Sequence, residues 1–253
     1  MLSRPGVDSR STARRRGRLA AAVRRRWIRL RHRGEEVECP CCGRRWAAFA
    51  ADWNRPDAVC PGCGAHERHR ALWLYLRDRV QVGRGPTDLL HFAPEHGLSV
   101  ALAGLPLVRR VTADLDGHRV DVAVDITAMP FVDASFDAIL CSHVLEHVED
   151  DRTAMAELAR VLRPGGWALV MVPIDSARAE TYEDPAIVGE EARERAFWQH
   201  DHVRLYAPDI AERLRDAGLE VDPVRIVDSL PAGAAARYGL LPDDTVFHCV
   251  RPS

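Results

Sequence analysis

Two pairs of cysteines are the residues whose type and spacing speak first: Cys39-Pro40-Cys41-Cys42 and Cys60-Pro61-Gly62-Cys63. Each pair is a C-x-x-C knuckle, and seventeen residues lie between them. A knuckle turns tightly enough to aim both thiolates at one point. Gly43 and Gly64 directly follow the pairs and permit the positive φ that such a turn needs. Four converging thiolates suit a tetrahedral Zn2+ with no open position, the pattern of a structural metal. The expected ligands are Cys39, Cys42, Cys60 and Cys63. Cys41 offers a competing thiolate, and His66 and His69 lie close enough in sequence to substitute for one. A redox dithiol is the alternative chemistry. Seven cysteines, four of them forming two pairs in one short segment, favour metal ligation over disulfides in a cytosolic chain.

Downstream, acidic residues and histidines recur at the ends of apolar runs, so the runs that position them matter. Leu89–Ala93, Val108–Ala113, Val120–Val124, Phe136–Cys141, Trp167–Val172, Val221–Val227 and Thr245–Arg251 read as strands. Gly97–Ala103, Asp151–Leu162 and Pro208–Ala217 read as helices, the last ended by Gly218. This alternation predicts an α/β fold, a Rossmann-like and mostly parallel seven-stranded sheet with helices on both faces. Asp114 ends the second strand, Asp125 follows the third, and Ser142-His143 and Glu146-His147 follow the fourth. Residues 66–82 space Leu72, Leu76 and Val80 as an amphipathic helix. The expected organisation is an Arg-rich tail over 1–33, a small zinc-ribbon module over 34–65, a connecting helix and linker over 66–86, and the α/β domain over 87–253. Residues 174–203 read as a polar, irregular insertion over the active site.

Residues 122–173, VAVDITAMPFVDASFDAILCSHVLEHVEDDRTAMAELARVLRPGGWALVMVP, run strand, acidic loop, strand, helix, Gly-turn, strand. That order resembles the second half of a class I S-adenosylmethionine (SAM) dependent methyltransferase, of the methyltransferase type 11-like kind. The LHFAPE segment, after the cysteine module and the ERHRALWLYL helix, resembles a subgroup of zinc-ribbon methyltransferase-like proteins. In the family the first strand usually ends in a glycine-rich loop. Here His91, Ala93 and Glu95 stand where an acidic residue and glycines are common, and only Gly97 is kept. The resemblance implies SAM contacts from Ala93, Glu95, Gly97, Asp114, Leu115, Asp125, Ile126, Ser142 and His143. Asp114 would accept from both ribose hydroxyls, with Asp116 as the nearby alternative and a turn-forming aspartate as the bland reading. Asp125 would accept from the adenine amino group. Methyl transfer from a sulfonium needs chiefly an aligned acceptor, plus a base for an O or N acceptor. His143 and, in His200-Asp201-His202-Val203-Arg204, His202 are the candidate catalytic residues. Arg204 and Arg178 are candidate anchors for an anionic substrate. Glu146 and His147 read as organisers of the following helix.

All 35 basic residues are arginine, which excludes any mechanism that uses a lysine amine. The formal charge of −2 hides twelve arginines and one aspartate within residues 1–33, about +11, leaving the remainder near −13. The acidic body favours a small molecule or sugar-type metabolite as acceptor. The basic tail with the ribbon leaves RNA as an alternative partner. The altered glycine loop leaves a non-catalytic, methyltransferase-fold interaction protein as another. No apolar run reaches membrane-spanning length and no hydrophobic signal segment begins the chain, so a cytoplasmic location is expected.

Overall fold

Strands buried on both faces need apolar residues in succession. Three segments supply them: β5 (Thr87–Phe92), β8 (Phe136–Ser142) and β9 (Leu162–Met171). The structure is a computed structural model and describes residues 27–52 and 55–253. Most of the Arg-rich tail, and with it the expectation that the tail binds RNA, lies outside the described residues.

The remaining strands of the sheet are β6 (Val108–Asp114), β7 (Val122–Ala123), β10 (Glu220–Arg225) and β11 (Thr245–Val250). The seven-stranded order is β10-β11-β9-β8-β5-β6-β7. β5 to β9 pair in parallel, and β11 runs antiparallel to both β9 and β10. Successive side chains alternate between faces. Leu90, Ile139 and Ala168 enter one core, and Leu89, Leu140 and Leu169 enter the other.

The first core is closed by α3 (Asp151–Val161) and α5 (Ile210–Asp216), through Met155, Leu158, Ile210 and Leu214. α3 starts where the Asp150 carboxylate accepts from the Thr153 backbone N–H at 2.9 Å, a side-chain cap. The second core is closed from the N-terminal side. Hairpins β1 (Val37–Cys39)/β2 (Arg44–Trp46) and β3 (Ala50–Asp52)/β4 (Arg55–Val59) precede α1 (Glu67–Tyr75), which continues as a π-helical turn over Leu76–Val80. Trp46 and Phe49 join Leu72 of α1, Leu76 of the π-helical turn, and Leu89 and Leu169 of the sheet in one cluster.

That arrangement revises the expectation of an amphipathic connecting helix. In α1, Glu67, His69 and Arg70 are buried along with Leu72, Trp73 and Leu74, because the sheet lies on one side and the cysteine hairpins on the other. The Arg70 charge is satisfied inside: its guanidinium donates to the carbonyls of Ala58, Ala65, Tyr238 and Gly239 at 2.6 to 2.8 Å. It also stacks 3.8 Å from the Phe49 ring centroid.

Two further differences have local causes. The 174–203 insertion, read as irregular, contains α4 (Glu190–Phe197), whose only buried residue is Phe197; one apolar contact leaves no periodicity to read. Leu162 to Gly166, read as a turn, is continuous with β9, because Leu162 already pairs with Phe136 before the register shifts. The other helices are α2 (His96–Leu102) and α6 (Ala234–Tyr238). Among the described residues no helix is long and apolar enough to cross a membrane.

Candidate active site

β5 and β8 are neighbours, yet the chain leaves β5 toward β6 and leaves β8 toward β9 on the opposite side. Such a reversal opens a crevice beyond the carboxyl ends of the strands, where open α/β sheets bind ligands. A cleft of about 810 Å³ lies there. Its lining includes Phe92 and Ala93 at the end of β5, Asp114 and Leu115 at the end of β6, Asp125 to Thr127 after β7, and His143 after β8.

Two lining residues hold backbone conformations that favour glycine. Ala93 has φ +41° and His143 has φ +55°. Each is pinned by a hydrogen bond from its own N–H, Ala93 to the Ala113 carbonyl at 2.9 Å and His143 to the Met171 carbonyl at 2.8 Å. Strained non-glycine residues at adjacent strand ends mark a site the surrounding sheet over-determines. Ala93 thus holds a left-handed turn conformation at the end of β5.

Ala93, Asp114, Leu115, Asp125, Ile126 and His143 are therefore brought around one cleft; Glu95, Gly97 and Ser142 do not line it. The Glu95 carboxylate turns inward, with Oε2 3.4 Å from His91 Nε2 and Oε1 3.6 Å from His69 Nε2. Burial acts to raise the Glu95 pKa, but the His91 and His69 partners prevail and hold it below the ordinary value. Gly97 faces Ala65 of the N-terminal module. Ser142 is buried in β8 with its hydroxyl unpartnered. Asp125 Oδ1 accepts from the Thr127 N–H at 2.9 Å and the Thr127 hydroxyl at 2.7 Å, which holds its pKa low. One Asp114 oxygen accepts weakly from the Asp116 N–H at 3.3 Å.

At His143 the cleft meets a second cavity of about 620 Å³. Arg55, Arg68, Glu146, His147, Pro173, Trp198 and His202 line it beside His143. Its wall is partly built by the N-terminal module and α1, which sequence reasoning had not connected to the reaction centre. His202 is buried, its Nδ1 donates to the Phe197 carbonyl at 2.8 Å, and burial lowers its pKa. Arg204 is not free to hold a substrate: buried, it donates to the carbonyls of Leu145, Val148 and Glu149 and to Glu183. Arg178 pairs with Asp175 at 3.2 Å, and its guanidinium lies 4.8 Å from the Tyr182 ring centroid.

In the N-terminal hairpins, the four thiols of Cys39, Cys42, Cys60 and Cys63 all lie within 4.8 Å of one another. Cys39 and Cys63 sulfurs are 3.6 Å apart and Cys42 and Cys60 sulfurs 3.8 Å. These spacings are far above a disulfide bond and match the edge of a tetrahedron with Zn–S bonds of about 2.3 Å, roughly 3.8 Å. Cys41 is buried, with its thiol directed at the His69 carbonyl at 3.6 Å.

Comparison with known proteins agrees with the strand order. Residues 88–170 match the family model described as a methyltransferase domain. That segment, a third of the chain, is a methyltransferase domain by this match. A ubiquinone biosynthesis O-methyltransferase of Paracidovorax citrulli is 30% identical over 151 residues, covering 58% of this chain and 60% of that one. A demethylmenaquinone methyltransferase of Renibacterium salmoninarum is 40% identical over 73 residues, 29% of each chain. The matches thus span less than two thirds of these curated relatives. Among solved structures, the cyclase SpnF superposes with a TM-score of 0.51 at 18% identity, covering 81% of this chain and 86% of that one. At that identity the likeness concerns the fold, and a cyclase on this methyltransferase fold illustrates that the site, not the scaffold, decides the reaction.

Proposed function

We propose that this chain is a SAM-dependent methyltransferase acting on an oxygen or nitrogen acceptor of a small molecule, with a structural zinc in its N-terminal hairpins. The observation that carries the reading is the juxtaposition of Asp114, Asp125 and His143 around one cleft at the reversal point of the sheet. The cleft volume suits a nucleoside-sized ligand.

Asp114 would accept from the ribose hydroxyls; one of its oxygens carries only a long internal hydrogen bond. Asp125 and the Ile126 N–H would take the adenine edge, with Val124 and Ile126 as apolar wall. Ala93 and the following turn would lie against the methionine end. SAM, when bound, would supply the methyl group from its sulfonium, with the neutral thioether as the leaving group. His143, shared by the cleft and the second cavity, would accept the acceptor's proton. Arg68 reaches the second cavity from α1, with Nε buried and unpartnered, and would favour an acceptor carrying negative charge. The four cysteine thiolates would close the zinc completely and leave it a structural role. The name of the ubiquinone biosynthesis O-methyltransferase relative is in line with an oxygen acceptor.

Calorimetry with SAM tests the cofactor reading, and Asp114→Asn should weaken binding by roughly tenfold or more, the scale of a charge-assisted hydrogen bond. Absence of SAM binding by the folded native chain would sink the enzyme reading and leave an interaction protein. Equal binding by Asp114→Asn would remove Asp114 from the ribose site.

A further inference from the structure

Glu146, His147 and His202 converge in the second cavity, and none of them is used by the cofactor reading above. One carboxylate oxygen and one nitrogen from each ring lie within 4.8 Å of one another. The residues come from two distant segments, the single 3-10 turn Leu145–His147 after β8 and the loop after α4.

The Glu146 carboxylate is 1% exposed, and neither of its oxygens has a hydrogen-bond partner. His143 Nδ1 lies 3.2 Å from Oε1 but off the line of a hydrogen bond. A buried carboxylate left without donors costs several kcal/mol unless a cation meets it. Both imidazoles are oriented by neighbours on one side of the ring. His202 Nδ1 is engaged by the Phe197 carbonyl at 2.8 Å. His147 Nδ1 lies 3.3 Å from the Asp201 carbonyl and 3.4 Å from Asp201 Oδ2. A carbonyl accepts only from N–H, so Nδ1 carries the proton in each ring and Nε2 keeps its lone pair. Metal-ligating histidines are characteristically held in this way by outer partners.

We propose that Glu146, His147 and His202 form a second metal site, which takes a divalent first-row transition-metal cation. Two imidazoles and one carboxylate suit Zn2+, Co2+, Fe2+ or Mn2+ and are unlike the all-thiolate set of the hairpins. Three protein ligands leave coordination positions open, and the cavity they face adjoins His143. The open position would receive an acceptor oxygen, whose proton a cation makes easier to lose to His143. This catalytic role rests on the methyltransferase reading; the binding of the cation does not.

The test uses the full chain with its cysteine site filled with zinc, titrated with Co2+ alone. Native protein should take up about one further Co2+ per chain, with weak visible d–d bands and without the strong near-ultraviolet thiolate charge-transfer absorption of a cysteine site. Glu146→Gln and His202→Gln should each weaken uptake by more than the roughly tenfold to hundredfold lost with a mere outer partner. Zinc content should stay unchanged. Added Co2+ should also raise the melting temperature of native protein and leave that of Glu146→Gln where it was, which keeps the comparison independent of how stable each variant is. No additional Co2+ in native protein, thiolate-type bands, or equal uptake by both variants would overturn the proposal. SAM binding, followed separately by calorimetry, distinguishes failure of this site from failure of the methyltransferase reading.

Discussion

Gly97 and Ala65 are in backbone contact across the junction between α2 and the cysteine module: a β-carbon on Gly97 would sit 2.6 Å from the Ala65 Cα. The one glycine that survives from the usual cofactor loop thus serves packing. It lets the module approach the sheet domain closely enough to share its second core. Gly97→Ala should therefore lower stability by about 1–3 kcal/mol, the cost of overpacking. The urea midpoint should fall, while SAM affinity, measured where the variant is folded, should be unchanged. A large loss of affinity at native stability would return Gly97 to the cofactor site.

Arg70 makes a second prediction about the same junction. Arg70→Met keeps much of the volume but leaves the carbonyls of Ala58, Ala65, Tyr238 and Gly239 without their donor. The expected cost is about 3–5 kcal/mol, typical of breaking a buried charged network. Because two of these acceptors belong to the module and two lie at the C-terminal end of α6, amide exchange should accelerate in both regions together. Exchange confined to α6 would show that the module is held by other contacts.

Metal analysis of the native chain should find zinc at the cysteine site, and Cys60→Ser with Cys63→Ser should lose it. The thiolates cannot be brought to about 3.8 Å spacings and kept charged without a cation, so binding and folding of the hairpins are coupled. A chelator should lower the melting temperature of the whole chain, since Trp46 and Phe49 belong to the sheet's own core. Independent melting of an intact sheet domain would contradict that coupling.

Acid should act on two buried groups with opposite sign. Burial pushes the His69 pKa down from 6.5 to about 3, although Glu95 pulls the other way. As pH falls from 6.5 toward 3, the unfolded chain binds a proton that folded His69 refuses, so stability is lost. Burial pushes the Asp244 pKa up from 3.8 to about 6. Between 3.8 and 6 the folded chain keeps a proton that the unfolded chain releases, so Asp244 contributes stability at the acid end that is lost as pH rises through 6. The two oppose each other across that window. His69→Gln should make urea stability fall less steeply from pH 6.5 to pH 4 than in the native chain. Parallel curves for the two proteins would mean that His69 titrates normally.

Much of the architecture was legible along the chain. The seven apolar runs alternate with helices, and periods of two and of 3.6 depend only on local backbone geometry, so the sheet and the α3 helix follow from spacing. Asp114, Asp125 and His143 were legible for the same reason: each stands one or two residues beyond an apolar run, and strand ends are where a parallel sheet gathers its polar residues. The C-x-x-C knuckles announce their convergence because each turn is made within four residues.

What spacing could not convey is which residues meet after long detours. Glu95 and Gly97 sit in the register of the cofactor loop, yet they face His69 and Ala65, because the module packs on that side of the sheet. Arg204 looks like a substrate anchor in the sequence and is consumed by the carbonyls after β8. The grouping of Glu146 and His147 with His202 joins segments more than fifty residues apart. The types of residue and their local order were determined by the sequence itself. Whether a polar group meets ligand, metal or another part of the protein was decided by tertiary packing, since burial removes water and leaves each polar group only the partners the fold brings to it.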